Sequence, residues 1–364
     1  MTQLRTVQVL GGGSAGSSAH VRSLAAGLVA RGVRVTVCAP ADVDRAYDYR
    51  GTGARFAPVP RRSDPLTMGA LRAACAGADV VHAHGLHAAV RTCLALGGLP
   101  VPLVVTWHTR GSGDGGRDRL LRLLERRAAR GADVVLATCS ELVDRARARG
   151  ARDARLAPVA APRAAGPPGG RPDKTRAELG STGRPLIVAV GSLDAHRGYG
   201  TLLDAARRWR ALDPAPLLVV AGEGPLRAAL QGRIAREDLP VLLLGGRDDV
   251  PELLAAADVA VLPSRWEARS VLAQEALRLG VPLVATAVGG VPELVGPAAE
   301  LVPYGDAEAL ADAVAGLLAD PARRGELARA GRAQADGWPT EDDTVAQVLS
   351  VYDELTGGAG PLPL

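Results

Sequence analysis

Short apolar runs alternate with amphipathic stretches along nearly the whole chain. Residues 6–10, Val33 to Cys38, Asp79 to Leu86, Val101 to Thr106, Asp133 to Ala137 and Arg155 to Val159 read as strands. They are rich in Val, Leu and Ala with little polar alternation, as strands covered on both faces are. Between them the pattern predicts helices over Val21 to Ala30, Leu120 to Ala129 and Glu141 to Arg149, the last with Ser140 as its N-cap. Gly11 to His20 reads as a glycine-rich loop and Gly111 to Gly116 as a flexible tip. Ala160 to Arg171 is Pro, Gly and Ala without a pattern, which marks a linker.

Beyond it the theme restarts. Strands are predicted over Pro185 to Val190, Leu217 to Ala221, Val241 to Leu244, Val259 to Leu262 and Leu283 to Thr286. Helices are predicted over Thr201 to Arg210, Asp248 to Ala257, Val271 to Leu279, Ala307 to Leu318 and Asp342 to Leu355, before a tail expected to be disordered from Gly357. Strands alternating with helices in both halves imply two α/β domains with parallel sheets.

The 364 residues leave room for two such domains, and 47% hydrophobic content can fill a core in each. Net charge is +4, and Lys174 is the one Lys among 43 basic residues, a bias that fits a GC-rich genome better than a nucleic-acid surface. The charges are scattered, so no nucleic-acid partner is expected. Cys38, Cys75, Cys93 and Cys139 show no metal-ligand spacing and read as buried thiols of a reducing compartment. The first ten residues lack the form of a signal peptide, and no run reaches the roughly 18 apolar residues of a membrane span. A cytoplasmic location follows, with peripheral contact at the inner membrane face as its limit.

Three motifs in the first half carry candidate chemistry. Gly11-x-Gly13-x-x-Gly16 fits the dinucleotide fingerprint, with Asp42 near the end of the next strand. Asp42 lies later than the roughly 20 residues that the ribose contact prefers, however. Asp42-Val43-Asp44 has the form of a metal-binding Asp-x-Asp, but it falls in a polar connection and reads as a solvated loop. His82 and His84 would share one strand face with His87 beyond the turn. Without an acidic or thiol ligand nearby, they read as a strand end, and no metal site is assigned.

The richest stretch runs from Pro263 to Gly296. Glu267 lies in the loop after one strand and Glu275 in the following helix, with seven residues between them. At about 1.5 Å per residue, Glu275 sits about 6 Å along the axis from Val271. The first amides of that helix, Ser270, Val271 and Leu272, lack intrahelical partners and point where an anion would sit. An acid, a ring of donors and a second acid suit a ligand with a polyol, a diphosphate and a ribose.

Glu267-x7-Glu275 after Pro263-Ser264, followed by Gly280-Val281-Pro282 and Gly289-Gly290-Val291-Pro292-Glu293, resembles the donor site of family 4 retaining glycosyltransferases. The resemblance spans nearly the whole chain and has an actinobacterial cast. It implies the GT-B fold, two Rossmann-like parallel-sheet domains facing across a cleft. These would be residues 1–165, completed by a crossover helix over 340–358, on the acceptor side, and 172–337 on the donor side. It also implies a bacterial, metal-independent hexosyltransferase that uses an NDP-sugar, with UDP or GDP as the expected bases and no further cofactor. The acceptor would be a lipid-linked inositol, a sugar phosphate or a natural product.

Carried over residue by residue, the resemblance gives Glu275 the ribose hydroxyls and Glu267 the sugar hydroxyls. Arg197 and the amides of Ser270, Val271 and Leu272 take the departing diphosphate, and the backbone near Arg247 meets the base. Gly16 lets the first glycine loop approach the donor phosphate, and His108, after the strand ending at Thr106, lies close to the transferred sugar. The chain departs from the family in three places. Ser192 stands where an Arg is usual, Ala15-Gly16 replaces a Gly-Gly pair, and Ala268-Arg269-Ser270 replaces Gly-Phe-Gly. Arg197 replaces a Lys and binds phosphate bidentately. Two other readings compete: a sugar-nucleotide-binding protein weakened in turnover by Ser192, and an NAD- or FAD-dependent oxidoreductase resting on the Gly11 loop.

Overall fold

The computed structural model describes residues 3–12, 15–111, 116–160 and 171–357. Gly13 of the fingerprint, the centre of the Gly111 to Gly116 tip, nearly all of the linker and the tail beyond Gly357 lie outside the described residues. The chain divides into two compact units, Met1–Pro162 with Pro339–Leu364, and Arg163–Trp338.

The first unit runs β1 (Arg5–Leu10), α1 (Ala15–Ala30), β2 (Arg34–Ala39), α2 (Ala41–Tyr47), β3 (Arg55–Pro58), α3 (Pro65–Cys75), β4 (Val80–His84), α4 (Leu86–Ala95), β5 (Leu103–Trp107), α5 (Gly116–Gly131), β6 (Val134–Ala137), α6 (Ser140–Ala148) and β7 (Ala154–Leu156). Its strands form a parallel seven-stranded sheet in the order β3-β2-β1-β4-β5-β6-β7. The order reverses between β1 and β4, so the loops leaving these two strands diverge to opposite faces and open a crevice at their carboxyl ends.

The second unit runs α7 (Pro172–Glu178), β8 (Leu186–Val190), α8 (Tyr199–Trp209), β9 (Leu217–Ala221), α9 (Arg227–Glu237), β10 (Val241–Gly245), α10 (Val250–Ala255), β11 (Val259–Leu262), α11 (Val271–Leu279), β12 (Leu283–Thr286), α12 (Val291–Val295), β13 (Glu300–Val302), α13 (Ala307–Ala319) and α14 (Pro321–Asp336). Its parallel sheet has the order β10-β9-β8-β11-β12-β13, with the reversal between β8 and β11. Side chains alternate across β8. Leu186 and Val188 join a core with Leu254, Ala273 and Leu277, whereas Ile187 and Ala189 join one with Leu202, Trp209 and Val314. Both faces are therefore covered, which explains why this strand reads as a continuous apolar run.

The last helix, α15 (Glu341–Thr356), belongs to the first unit and packs on α1 and β4. Thr340 caps it through its hydroxyl, with Asp343 answering from the third position. Val345, Val348, Val351 and Tyr352 are buried along one face.

Several local expectations shift. The helix α1 begins at Ala15 rather than Val21, so Gly16 and His20 are helical rather than in a loop. Ser17, Ser18 and His20 are buried polar residues, and a stripe of that composition imitates a loop. The Asp42-Val43-Asp44 segment is the first turn of α2, with Asp42 on Arg61 at 2.8 Å and Asp44 on Arg50 at 3.1 Å, not a solvated loop. The cap of α6 is Cys139, one residue before Ser140. Helix α14 escaped the pattern because its buried face is Leu327, Gly331 and Ala335, small residues that carry little hydrophobic signal. Cys93 is half-buried, while the other three thiols are buried.

Candidate functional site

In the second unit, the crevice at the β8/β11 reversal is lined by the loops after those strands. The loop after β8 is fixed first by backbone bonds: Gly191 N donates to Ala221 O at 3.0 Å, and Leu193 N to Glu223 O at 2.9 Å. A single helical turn over Ala195–Arg197 follows and ends at Gly198, whose φ is 72°. A Cβ on Gly198 would lie 1.9 Å from Pro263 O, so only glycine lets this turn press on the end of β11. Arg265 N then donates to His196 O at 2.8 Å and locks the two loops together.

That lock brings Arg197 and Glu267 into direct contact. An Arg197 Nη donates to Glu267 Oε1, and buried Ser264 donates its hydroxyl to the same oxygen at 2.9 Å. Thr286 Oγ1 donates to Ser264 O at 2.6 Å, and Gly290 N holds Glu267 O at 2.9 Å. The carboxylate is therefore held by Arg197 and Ser264, and the main chain of Glu267 by Gly290. The Nε of Arg197 is buried and has no partner. A charged donor of this kind, left unsatisfied, favours an anion that reaches it.

Ser270 caps α11, with its hydroxyl accepting from Ala273 N at 3.3 Å. The amides of Val271 and Leu272 remain the helix's first-turn donors. Glu275 lies one turn further on and holds Arg278 at 3.0 Å, and both Arg278 and Arg269 lie over the Trp338 ring, at 5.7 and 5.9 Å from its centroid. Ser192 is half-buried, and its carbonyl accepts from Asp194 N at 2.9 Å. The Arg247 guanidinium grips Asp249. The structure thus joins Arg197 to Glu267, whereas Glu275 is tied to Arg278.

In the first unit, four of the chain's six histidines gather at the carboxyl ends of β4 and β5. The His82 and His84 rings stack at 4.2 Å, on one face of β4 as their spacing requires. His20 reaches them from α1, at 5.6 Å from His84 and 5.4 Å from His108. His87 instead lies in α4, against Gly11. Burial holds His82 at about 3 and His108 at about 4, and depresses His20 and His84 well below the usual histidine range. All four are neutral at pH 7. Gly16 lies in the first turn of α1, in the same unit.

A polar network underlies the rings. Gln8 Nε2 donates to Thr6 Oγ1 and to the Tyr352 hydroxyl, both at 2.9 Å, which turns its Oε1 toward His84 Nε2, also at 2.9 Å. Tyr352 meets His82 Nδ1 at 2.7 Å, and Thr106 Oγ1 meets His82 Nε2 at 2.6 Å. Sequence reading found His82, His84 and His108 but missed His20, Gln8 and Tyr352. The one signal for them was Thr6 and Gln8, polar positions inside an apolar strand.

Comparison with known proteins agrees with this architecture. The profile described as "Glycosyl transferases group 1" matches residues 171–334, and that described as "Glycosyl transferase 4-like domain" matches 15–162. The alpha-maltose-1-phosphate synthase of Mycobacterium tuberculosis is 30% identical over 352 residues, covering 87% of this chain and 89% of that protein. This chain belongs to the group 1 glycosyltransferases. A GDP-mannose-dependent monoacylated alpha-(1-6)-phosphatidylinositol monomannoside mannosyltransferase of Corynebacterium glutamicum is 33% identical to the glycosyltransferase over 189 residues, 48% of this chain and 50% of that protein. The glycosyltransferase thus spans about half the length of that relative. Its fold is GT-B. The Anabaena protein HepE in complex with UDP superposes with a TM-score of 0.82 at 19% identity, over 97% of this chain and 100% of that one. The sucrose-phosphate synthase of Thermosynechococcus elongatus superposes with 0.77 at 23% identity, over 97% and 99%. Among the described residues no helix is long and apolar enough to cross a membrane.

Proposed function

We propose that this glycosyltransferase moves a hexosyl-type sugar from a nucleoside diphosphate to a hydroxyl acceptor, with retention of configuration and without a metal in the reaction. The observation that carries the reading is the convergence of Arg197 and Glu267 at the β8/β11 reversal, with a buried guanidinium N–H left over. Arg197 and the amides of Val271 and Leu272 take the diphosphate, where negative charge builds as the sugar leaves. Glu267 holds sugar hydroxyls and Glu275 the ribose, while the backbone at Arg247 faces the base. The C–O bond to the leaving phosphate breaks as the acceptor oxygen bonds to the anomeric carbon on the same face. The departing phosphate takes the acceptor's proton, so no side-chain nucleophile is needed. For Gly16 and His108, in the first unit, the resemblance alone supports contacts with the donor phosphate and the sugar respectively.

Ser192 lacks the charge of the family's Arg, which leaves Arg197 as the guanidinium of that loop. The weakened-binder reading draws on this one substitution, and hydrolysis or transfer of a donor by the purified chain would exclude it. UDP and GDP are the proposed bases. The named relatives act on a phosphatidylinositol mannoside or are named for maltose 1-phosphate, which supports keeping lipid-linked inositols and sugar phosphates in the acceptor panel beside natural products. Leu120 and Leu123 are exposed on α5 among six arginines, which supports peripheral contact with an anionic membrane from a cytoplasmic location.

Thermal shift with UDP, GDP, ADP and TDP and their sugars tests the donor. A ligand at 100 times its dissociation constant adds about 2.7 kcal/mol. No shift with any nucleotide would sink the reading.

A further inference from the structure

His20 and His84 have no part in the proposed sugar transfer, and together with His108 they make a cluster of their own, in which His108 would serve the metal instead of the sugar. His20, His84 and His108 each present a ring nitrogen, and these three nitrogens lie within 4.8 Å of one another. They come from three elements of the first unit: α1, β4 and the residue after β5. His84 Nδ1 and His108 Nε2 are buried without partners. Leaving two buried polar ring atoms unsatisfied is costly in a folded chain.

The network beneath them fixes which atom carries a lone pair. Both hydrogens of the Gln8 amide are spent on Thr6 and Tyr352, so its oxygen faces His84 and that ring must donate from Nε2. The lone pair of His84 therefore sits on Nδ1, the atom without a partner. A metal-binding imidazole is arranged in the same way, with its far nitrogen donating to an oriented oxygen that sets the tautomer.

We propose that His20, His84 and His108 form a binding site for a divalent transition metal of the zinc class, with Gln8 as the positioning residue for His84. Three imidazoles with a fourth position open are a ligand set that zinc accepts, and imidazole suits copper, nickel and iron as well. At 2.0–2.1 Å from the metal, tetrahedral nitrogens stand about 3.3 Å apart, so the rings close by up to about 1.5 Å on loading. Small rotations about the side-chain torsions of His20 and His108 supply that movement. The site does not rest on the transferase reading. A chain that bound metal and moved no sugar would keep the one and lose the other.

Co2+ is the probe, because its visible d–d bands report coordination directly. Untagged, chelator-treated protein titrated with Co2+ alone should show these bands with one equivalent, and Zn2+ should displace them. His20→Ala and His108→Ala should each weaken binding at least tenfold, while His87→Ala and His196→Ala leave it unchanged. Gln8→Leu should weaken it 10- to 100-fold. Because Gln8 is in the core, His108→Asn, which keeps most of the side-chain volume, serves as the check on folding and should lose the bands with the melting temperature retained. No bands at stoichiometric Co2+ in folded protein would overturn the site. So would bands that survive the His20→Ala/His108→Ala double change.

Discussion

Arg197 and Glu267, 70 residues apart in sequence, form an ion pair with each other in the ligand-free chain. These are the two side chains proposed to grip opposite ends of the donor's sugar-diphosphate linkage. Each thus neutralises its partner until a donor arrives, and binding exchanges one internal pair for two contacts with the ligand. Such a pair keeps a largely buried carboxylate and guanidinium satisfied in the empty site, where either alone would be penalised.

Glu267→Gln follows from this arrangement. It preserves shape and the Ser264 contact but releases Arg197. The affinity for UDP or GDP should rise by about fivefold, about 1 kcal/mol, while transfer falls at least a hundredfold. Calorimetry and a turnover assay read the two effects. A variant that bound nucleotide more weakly would contradict the pairing.

Arg197→Ala removes the charge from the same loop and strands Glu267. Nucleotide affinity should fall by roughly 10- to 100-fold, the range of a charge-assisted contact. Arg197→Lys should fall between, because an ammonium keeps the charge and loses the fork. Equal affinity for the three proteins would show that the loop does not touch the diphosphate.

Glu275→Gln separates the ribose from the diphosphate. Nucleoside diphosphates should lose their thermal shift, whereas inorganic diphosphate should keep its own. If both are lost, Glu275 acts through Arg278 and the packing of Trp338, not on the sugar.

Gly198→Ala tests the lock between the two loops. The new Cβ meets Pro263 O in a left-handed backbone region, and strain plus overlap should cost about 3 kcal/mol or more. The melting temperature should drop by several degrees, and nucleotide binding should weaken even below it. A neutral substitution would mean that the turn and β11 are not held together as described.

Alkaline pH offers a test of the first unit's core. Burial pushes the thiols of Cys38 and Cys75 from 9.0 up to about 12, and raises Tyr352 from 10.0. Above pH 9 the unfolded chain releases these protons and the folded chain keeps them. The unfolded state then binds fewer protons, and stability falls as pH rises toward 12. The urea midpoint should decline steadily from pH 8.5 to 10.5, and less so in Cys75→Ala. A flat profile would place these groups in contact with water.

Much of the second unit was legible before any coordinates. The strand Val259–Leu262, the helix Val271–Leu279 and the strand Leu283–Thr286 fall where periodicity, Gly280 and Pro282 put them. There each local preference agrees with the tertiary solution, so reading and folding reach the same answer. The first helix failed the same test, because Ser17, Ser18 and His20 are buried for reasons of partnership that hydrophobicity does not register.

The sequence by itself determined two α/β units with parallel sheets, and it carried the acids and the arginine of the candidate donor site. Periodicity and turn chemistry are local properties and survive in one dimension. Only the tertiary structure decided which of those residues meet. It closed Arg197 on Glu267, tied Glu275 to Arg278, and joined Gln8 to Tyr352 across 344 positions, so that the Gln8 oxygen meets His84 Nε2 and leaves its Nδ1 without a partner. Contacts of that kind depend on how strands are ordered in a sheet, and the pattern along a chain carries no record of that order.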